Sequence, residues 1–164
     1  MPVLHKNIRE PDPFWLDEDK VNDCVATFLH QKRFLITSHL AGNEKGDDVS
    51  GERDGWKVCI ESKGSLSNWH LGTGKVFDST QIFNHLCKQV VQLMQLKEEN
   101  NSANVIYVMA NPDISRIRKR VHRIKTSLDM LGFVQFWVQE DEKVIVECPE
   151  HLKNLLRSLD LING

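Results

Sequence analysis

Residues 46–63 read GDDVSGERDGWKVCIESK. Two runs of β-forming residues flank Asp54-Gly55. Asp-Gly in that setting is a strong hairpin signal, because both central residues of a type I′ turn need positive φ. With Asp54 and Gly55 at the centre of the turn, Arg53 pairs with Trp56 and Asp48 lies directly opposite Glu61. Directly opposed residues share a face, with β-carbons about 4.5–5.5 Å apart. Lys63, two residues beyond Glu61, points the same way. Val49, Trp56, Val58 and Ile60 take the other face, which their apolar character marks as the core side. Alternation turns Asp47 away from Asp48, toward that side. A longer loop would slip this register.

Like charges directly opposite each other destabilise a strand pair, so the Asp48–Glu61 pair calls for compensation. A hard divalent cation held by both carboxylates provides it, and Mg²⁺ commonly binds through one or two carboxylates plus substrate phosphate. Lys63 supplies positive charge beside the pair and is placed to stabilise a reacting oxygen. Two acids, a metal and a lysine are equipment for hydrolysing a phosphodiester. The simpler alternative is two solvated acids on the open face of an antiparallel pair.

The rest of the chain provides the frame. Its 164 residues, 40% hydrophobic and 27% charged, fit one compact α/β domain over 1–164, with the proline-bearing residues 1–14 as an N-terminal arm. A helix is expected from about Asp17 to Gln31, with Val21, Val25, Phe28 and Leu29 inward. A strand follows at Phe34, Ile36 and Leu40, and then the loop AGNEKG. Beyond the hairpin, GSLSNWHLGTGK (64–75) reads as a flexible loop. Asp78 opens a long helix with Ile82, Phe83, Leu86, Val90, Leu93 and Met94 on its apolar face. VIYVMA (105–110) reads as a strand buried on both faces. After Asn111-Pro112-Asp113 a second amphipathic helix turns Ile117, Val121, Ile124 and Leu128 inward and ends at Gly132. FVQFWV and KVIVEC make a second hairpin, and HLKNLLRSL a closing helix. This order predicts helices flanking a central mixed sheet.

At this point the chain resembles the PD-(D/E)xK nuclease superfamily, whose fold is the restriction-endonuclease-like three-layer α/β/α domain. Gly46-Asp47-Asp48-Val49 resembles the family's G-x-D-(I/V), and Ile60-Glu61-Ser62-Lys63-Gly64 its (I/V)-E-x-K-G. The likeness extends over roughly residues 15–147 and includes small bacterial members of uncharacterised function. It implies Asp48 and Glu61 as ligands of Mg²⁺ or Mn²⁺, with the Ser62 backbone carbonyl facing the ion and Lys63 as the catalytic lysine. It also implies hydrolysis of nucleic acid, DNA foremost, and a homodimer presenting two sites to two strands. Many members carry a glutamate in the first helix where this chain has Asn22; Asp23 and Glu18 are the substitutes at hand. That departure favours a second reading, a nuclease-fold protein that binds nucleic acid or assembles without cleaving, as an accessory factor of a mobile element or defence system would.

Several further residues have two readings each. Gln81 falls where relatives of that kind place a glutamine near the active site, yet Asp78-x-x-Gln81 is also a capping box. His85 lies one turn on, above Lys88 and Gln92, as an accessory group or a surface residue. Trp69 and His70 serve as a stacking platform for a base, or fold back on the protein. Arg116, Arg118, Lys119, Arg120, Arg123 and Lys125 crowd ten residues of a chain with net charge −2. Arg116, Lys119, Arg120 and Arg123 are read as phosphate contacts, against a helix face kept soluble by charge. Cys24, Cys59, Cys87 and Cys148 show no metal-ligand spacing and read as reduced core thiols. With no run apolar enough to span a membrane and no signal-peptide core at MPVLHKNIRE, a cytoplasmic protein with no membrane partner is expected.

Overall fold

The structure is a computed structural model that describes residues 1–40 and 46–164; most of the AGNEKG loop lies outside the described residues. In chain order the elements are β1 (Val3–Leu4), α1 (Glu18–Gln31), β2 (Leu35–His39), β3 (Val49–Arg53), β4 (Trp56–Ser62) and β5 (Lys75–Val76). They continue with α2 (Ser79–Glu99), β6 (Val105–Pro112), α3 (Ser115–His122), α4 (Lys125–Leu131), β7 (Phe133–Val138), β8 (Val144–Glu147) and α5 (Lys153–Ser158).

The first hairpin forms in the expected register. Asp54 and Gly55 have φ of 51° and 79°, the left-handed pair that a type I′ turn demands. Arg53 faces Trp56 and Val49 faces Ile60. Around this hairpin the main sheet runs β2-β3-β4-β6-β7-β8. β4, β6 and β7 are parallel to one another, and the pairs at both edges are antiparallel. Parallel neighbours need crossover connections; α2 makes the first, and α3 with α4 the second.

Alternation along the strands builds two cores. Val58, Ile60, Val108 and Phe136 point to one face, where Val21, Val25 and Leu29 of α1 and Leu156 of α5 meet them. Cys59, Tyr107, Met109 and Trp137 point to the other, under Ile82 and Leu93 of α2, Ile117 and Val121 of α3 and Leu128 of α4. The result is a six-stranded mixed sheet between two helical layers. Asp17 caps α1 by accepting from the Lys20 N–H at 2.9 Å, and the acids Glu18 and Asp19 follow in the first turn, where the helix dipole favours negative charge.

Some expectations are corrected here. The helix expected after Pro112 is two helices, broken at Arg123-Ile124, so Ile124 is exposed rather than inward. On α2, Phe83 and Met94 are 47% and 45% exposed, because the sheet covers only a narrow stripe of that helix. Cys87 on the same helix is exposed, unlike the buried Cys24 and Cys59. The N-terminal segment is tied down: β1 pairs with β5, and Asp12 is buried.

Candidate active site

One rung beyond the last β3–β4 pair, the Asp48 carboxylate accepts the Ser62 backbone N–H at 2.7 Å. The Asp48 carbonyl in turn accepts from the Leu40 N–H at 2.8 Å, so both neighbouring strands hold this residue. Glu61 points to the same side, close enough to the Asp48 carboxyl for each to shift the other's pKa. This side is not open: α2 covers it, and Glu61 is only 5% exposed. The simpler picture of two solvated acids therefore fails for Glu61.

α2 supplies the polar lining that such burial requires. Gln89, fully buried, donates to the carbonyls of Glu61 (2.8 Å) and Ala110 (3.2 Å) and accepts from Asn111. Gln92, with its amide turned so that nitrogen donates, reaches Glu61 Oε2 at 3.2 Å. These glutamines are the contacts that sequence reasoning passed over. Their signal was present as a polar stripe, with Gln92 below His85 and Lys88.

Of the two substitutes at hand in the first helix, Asp23 pairs with His39 and Glu18 reaches the lysine. The Glu18 carboxylate lies 3.8 Å from Lys63 Nζ. What brings α1 this close is Gly64: a β-carbon there would stand 2.6 Å from Glu18 N and 2.7 Å from Leu16 O. The Ser65 N–H donates to the Leu16 carbonyl at 2.8 Å, completing the junction. Asn22, one helical turn further along the same face, instead donates to the Leu40 carbonyl at 3.3 Å. It braces the strand end that holds Asp48, while Glu18 is the α1 acid that lies beside Lys63.

The electrostatics follow from this crowding. Burial, and then the Asp48 charge, push the Glu61 carboxyl up to about 8, with Lys63 pulling the other way. Burial also raises Asp48, against the Ser62 N–H and Lys63. Glu18 is raised by burial, with Lys63 opposing and Asp48 adding to the effect. Both shifts favour a protonated carboxyl in the Asp48–Glu61 pair. His85 is held below its ordinary value by burial and then by the nearby Lys63 and Lys88, which keeps the ring neutral. It packs on Phe77 at 4.5 Å in a cleft of about 540 Å³ that also exposes Glu18 and Gly64. Trp69 stands on the cleft's wall, 91% exposed, so it does not fold back on the protein.

Asp47 does not point to the face that alternation assigned. It lies 3.6 Å from Lys57 and, after burial, helps push up the Cys59 thiol; both partners are on Glu61's side of the sheet. Gly46 at φ 124° precedes it and the β3 strand begins only at Val49, so strict alternation does not reach back to Asp47.

Two assignments are corrected by contacts. Gln81 completes the capping box, its N–H donating to Asp78 at 2.8 Å and its side chain accepting from the Asp78 N–H at 3.0 Å, so its contacts are those of the helix end. Arg116 is not a phosphate contact: it grips the buried Asp12 through two bonds of 2.8 and 2.6 Å and donates to the Phe77 carbonyl. The other predicted phosphate contacts stay nearer the surface, Lys119 against Glu10, Arg120 over the Phe83 ring, and Arg123 exposed.

Asp48 and Glu61 are hard oxygen donors suited to Mg²⁺ or Mn²⁺. Among the described residues, no group of three or more His, Cys, Asp and Glu side chains is gathered to hold an ion. No helix among those residues is long and apolar enough to cross a membrane. No protein-family model, curated protein or solved structure matches this chain.

Proposed function

We propose that this chain is a metal-dependent nuclease of the restriction-endonuclease-like fold that hydrolyses phosphodiester bonds in DNA. The observation that supports it most is a buried carboxyl, Glu61, packed against a second carboxyl and followed two residues later by a half-enclosed lysine. A fold that only needed stability would gain by replacing such a pair with apolar groups. Asp48, Glu61 and the Ser62 carbonyl would hold a Mg²⁺ or Mn²⁺ ion. That ion would polarise a phosphate oxygen and lower the pKa of bound water. Lys63 stabilises charge on the phosphoryl oxygens, Glu18 fixes the position of Lys63, and neutral His85 is available to accept a proton at the cleft. Lys119, Arg120 and Arg123 remain the phosphate contacts in this proposal, without Arg116.

The second reading, binding without cleavage, is favoured by the raised Glu61 carboxyl, since a proton held there relieves the carboxylate repulsion without any ion. A cleavage assay over single-stranded, duplex and nicked DNA and RNA, with Mg²⁺ or Mn²⁺, separates the two. The nuclease proposal predicts ion-dependent cleavage of at least one DNA form, lowered about 100-fold or more by Lys63→Ala with binding nearly unchanged. Binding with no cleavage of any form, in either metal, would sustain the second reading.

A further inference from the structure

Most of the molecule's concentrated positive charge faces a different hollow, between α3, α4 and the β7–β8 hairpin. A cavity of about 610 Å³ opens there. Four cations, Arg118, Lys119, Arg123 and Lys125, line it against two acids, Asp129 and Glu147, in a chain whose formal net charge is −2. Three of the four are anchored by ion pairs: Arg118 to Asp113 and Glu147, Lys119 to Glu10, and Lys125 to Asp129. Arg123 is exposed and has no side-chain partner among the described residues. Val121 and Leu128 supply apolar wall.

The inner lining comes from Gln135 and Trp137, two residues apart on β7 and therefore on one face. Gln135 is 7% exposed and Trp137 1%. Each nevertheless holds a buried polar atom with no partner, Gln135 Oε1 and Trp137 Nε1. Buried donors and acceptors are nearly always paired, so two orphans on residues that line one cavity call for a partner. Arg118 lies over the Trp137 ring at 4.3 Å, which occupies the ring's face but not its N–H.

We propose that this cavity binds a small organic anion of the mononucleotide class, with its phosphate at Arg123 and the neighbouring cations. With a small shift of the side chains that cover these two atoms, the edge of its base would supply an acceptor to Trp137 Nε1 and a donor to Gln135 Oε1. The size of the cavity favours an organic ligand: it falls within the range that encloses drug-sized molecules, and a bare phosphate leaves most of it unfilled. The mixed donor and acceptor lining matches a nucleobase edge, which offers both kinds of group. This site is separate from the Asp48–Glu61 pair; it shares Lys119 and Arg123 with the proposed DNA contacts but does not depend on nuclease activity.

Thermal unfolding and calorimetric titration in EDTA test it, since chelation removes any ion-mediated binding at Asp48 and Glu61. The ligands are AMP, GMP, CMP and UMP, with inorganic phosphate as the size control. At least one nucleotide should bind with a submillimolar Kd and raise Tm more than phosphate does. Arg123→Glu, at the surface, and Gln135→Met, close in volume, should each weaken that binding about tenfold or more while retaining cooperative unfolding. The proposal is overturned if no nucleotide binds at millimolar concentration, if phosphate matches the nucleotides, or if either variant keeps wild-type affinity.

Discussion

At Glu61, burial and the neighbouring Asp48 charge both favour the protonated carboxyl. A folded-state pKa raised from 4.5 to about 8 means that the native protein binds this proton more tightly than the unfolded chain does. Stability from this group is therefore fully present below pH 4.5 and falls as pH rises toward 8. Glu61→Gln keeps the shape and removes the titration. It should leave the metal-free protein's Tm nearly unchanged near pH 5 and raise it above wild type near pH 9. About 1 kcal/mol or more is expected at the alkaline end, or roughly 2–4 °C for a chain of this size. Melting curves across that range check the sign; a variant less stable than wild type at pH 9 would remove the carboxylate repulsion from the account. A second residue-scale expectation concerns Arg116. Its partner Asp12 is buried, so Arg116→Ala strands a charge and should cost about 3 kcal/mol or more in urea unfolding. A loss under 1 kcal/mol would mean that Asp12 is satisfied elsewhere.

Among the elements, the junction of α1 with the end of β4 decides whether the site has its third acid. Gly64→Ala would push its new β-carbon against the backbone of Leu16, Asp17 and Glu18, atoms that cannot swing aside. The start of α1 must then move away from Lys63. A destabilisation of about 1–3 kcal/mol is expected, together with impaired cleavage even though no acid or lysine has changed. If Gly64→Ala unfolds at the wild-type denaturant midpoint, the close approach does not hold these elements together. The hairpin was legible from sequence because its information is local: Asp54-Gly55 sets the turn and alternation sets the faces. Capping at Asp78 was legible for the same reason. Glu18's partnership with Lys63, by contrast, spans 45 positions and depends on a missing β-carbon, so nothing in the periodicity of α1 announces it. The role of Arg116 was hidden likewise, since its partner lies 104 residues away. The break at Arg123-Ile124 escaped because Ile117, Val121, Ile124 and Leu128 keep helical spacing straight through it.

For the whole molecule, the six-stranded sheet acts as the platform. Its β3–β4 edge region carries the paired acids beneath α2, and the β7–β8 end carries the basic cavity. Both lie on the same side of the sheet, yet their charges are opposite, which a formal net charge of −2 conceals. The claim on which the functional account turns is that Asp48 and Glu61 together form one divalent-ion site. Calorimetric titration with Mn²⁺ tests this most directly, because ligands must shed their protons to bind. Running it in buffers of different ionisation enthalpy counts those protons. The account predicts one Mn²⁺ per chain, with up to one proton released at pH 7 and almost none at pH 9, and binding abolished by Asp48→Asn. No Mn²⁺ uptake at millimolar concentration, or uptake that Asp48→Asn leaves unchanged, would contradict it.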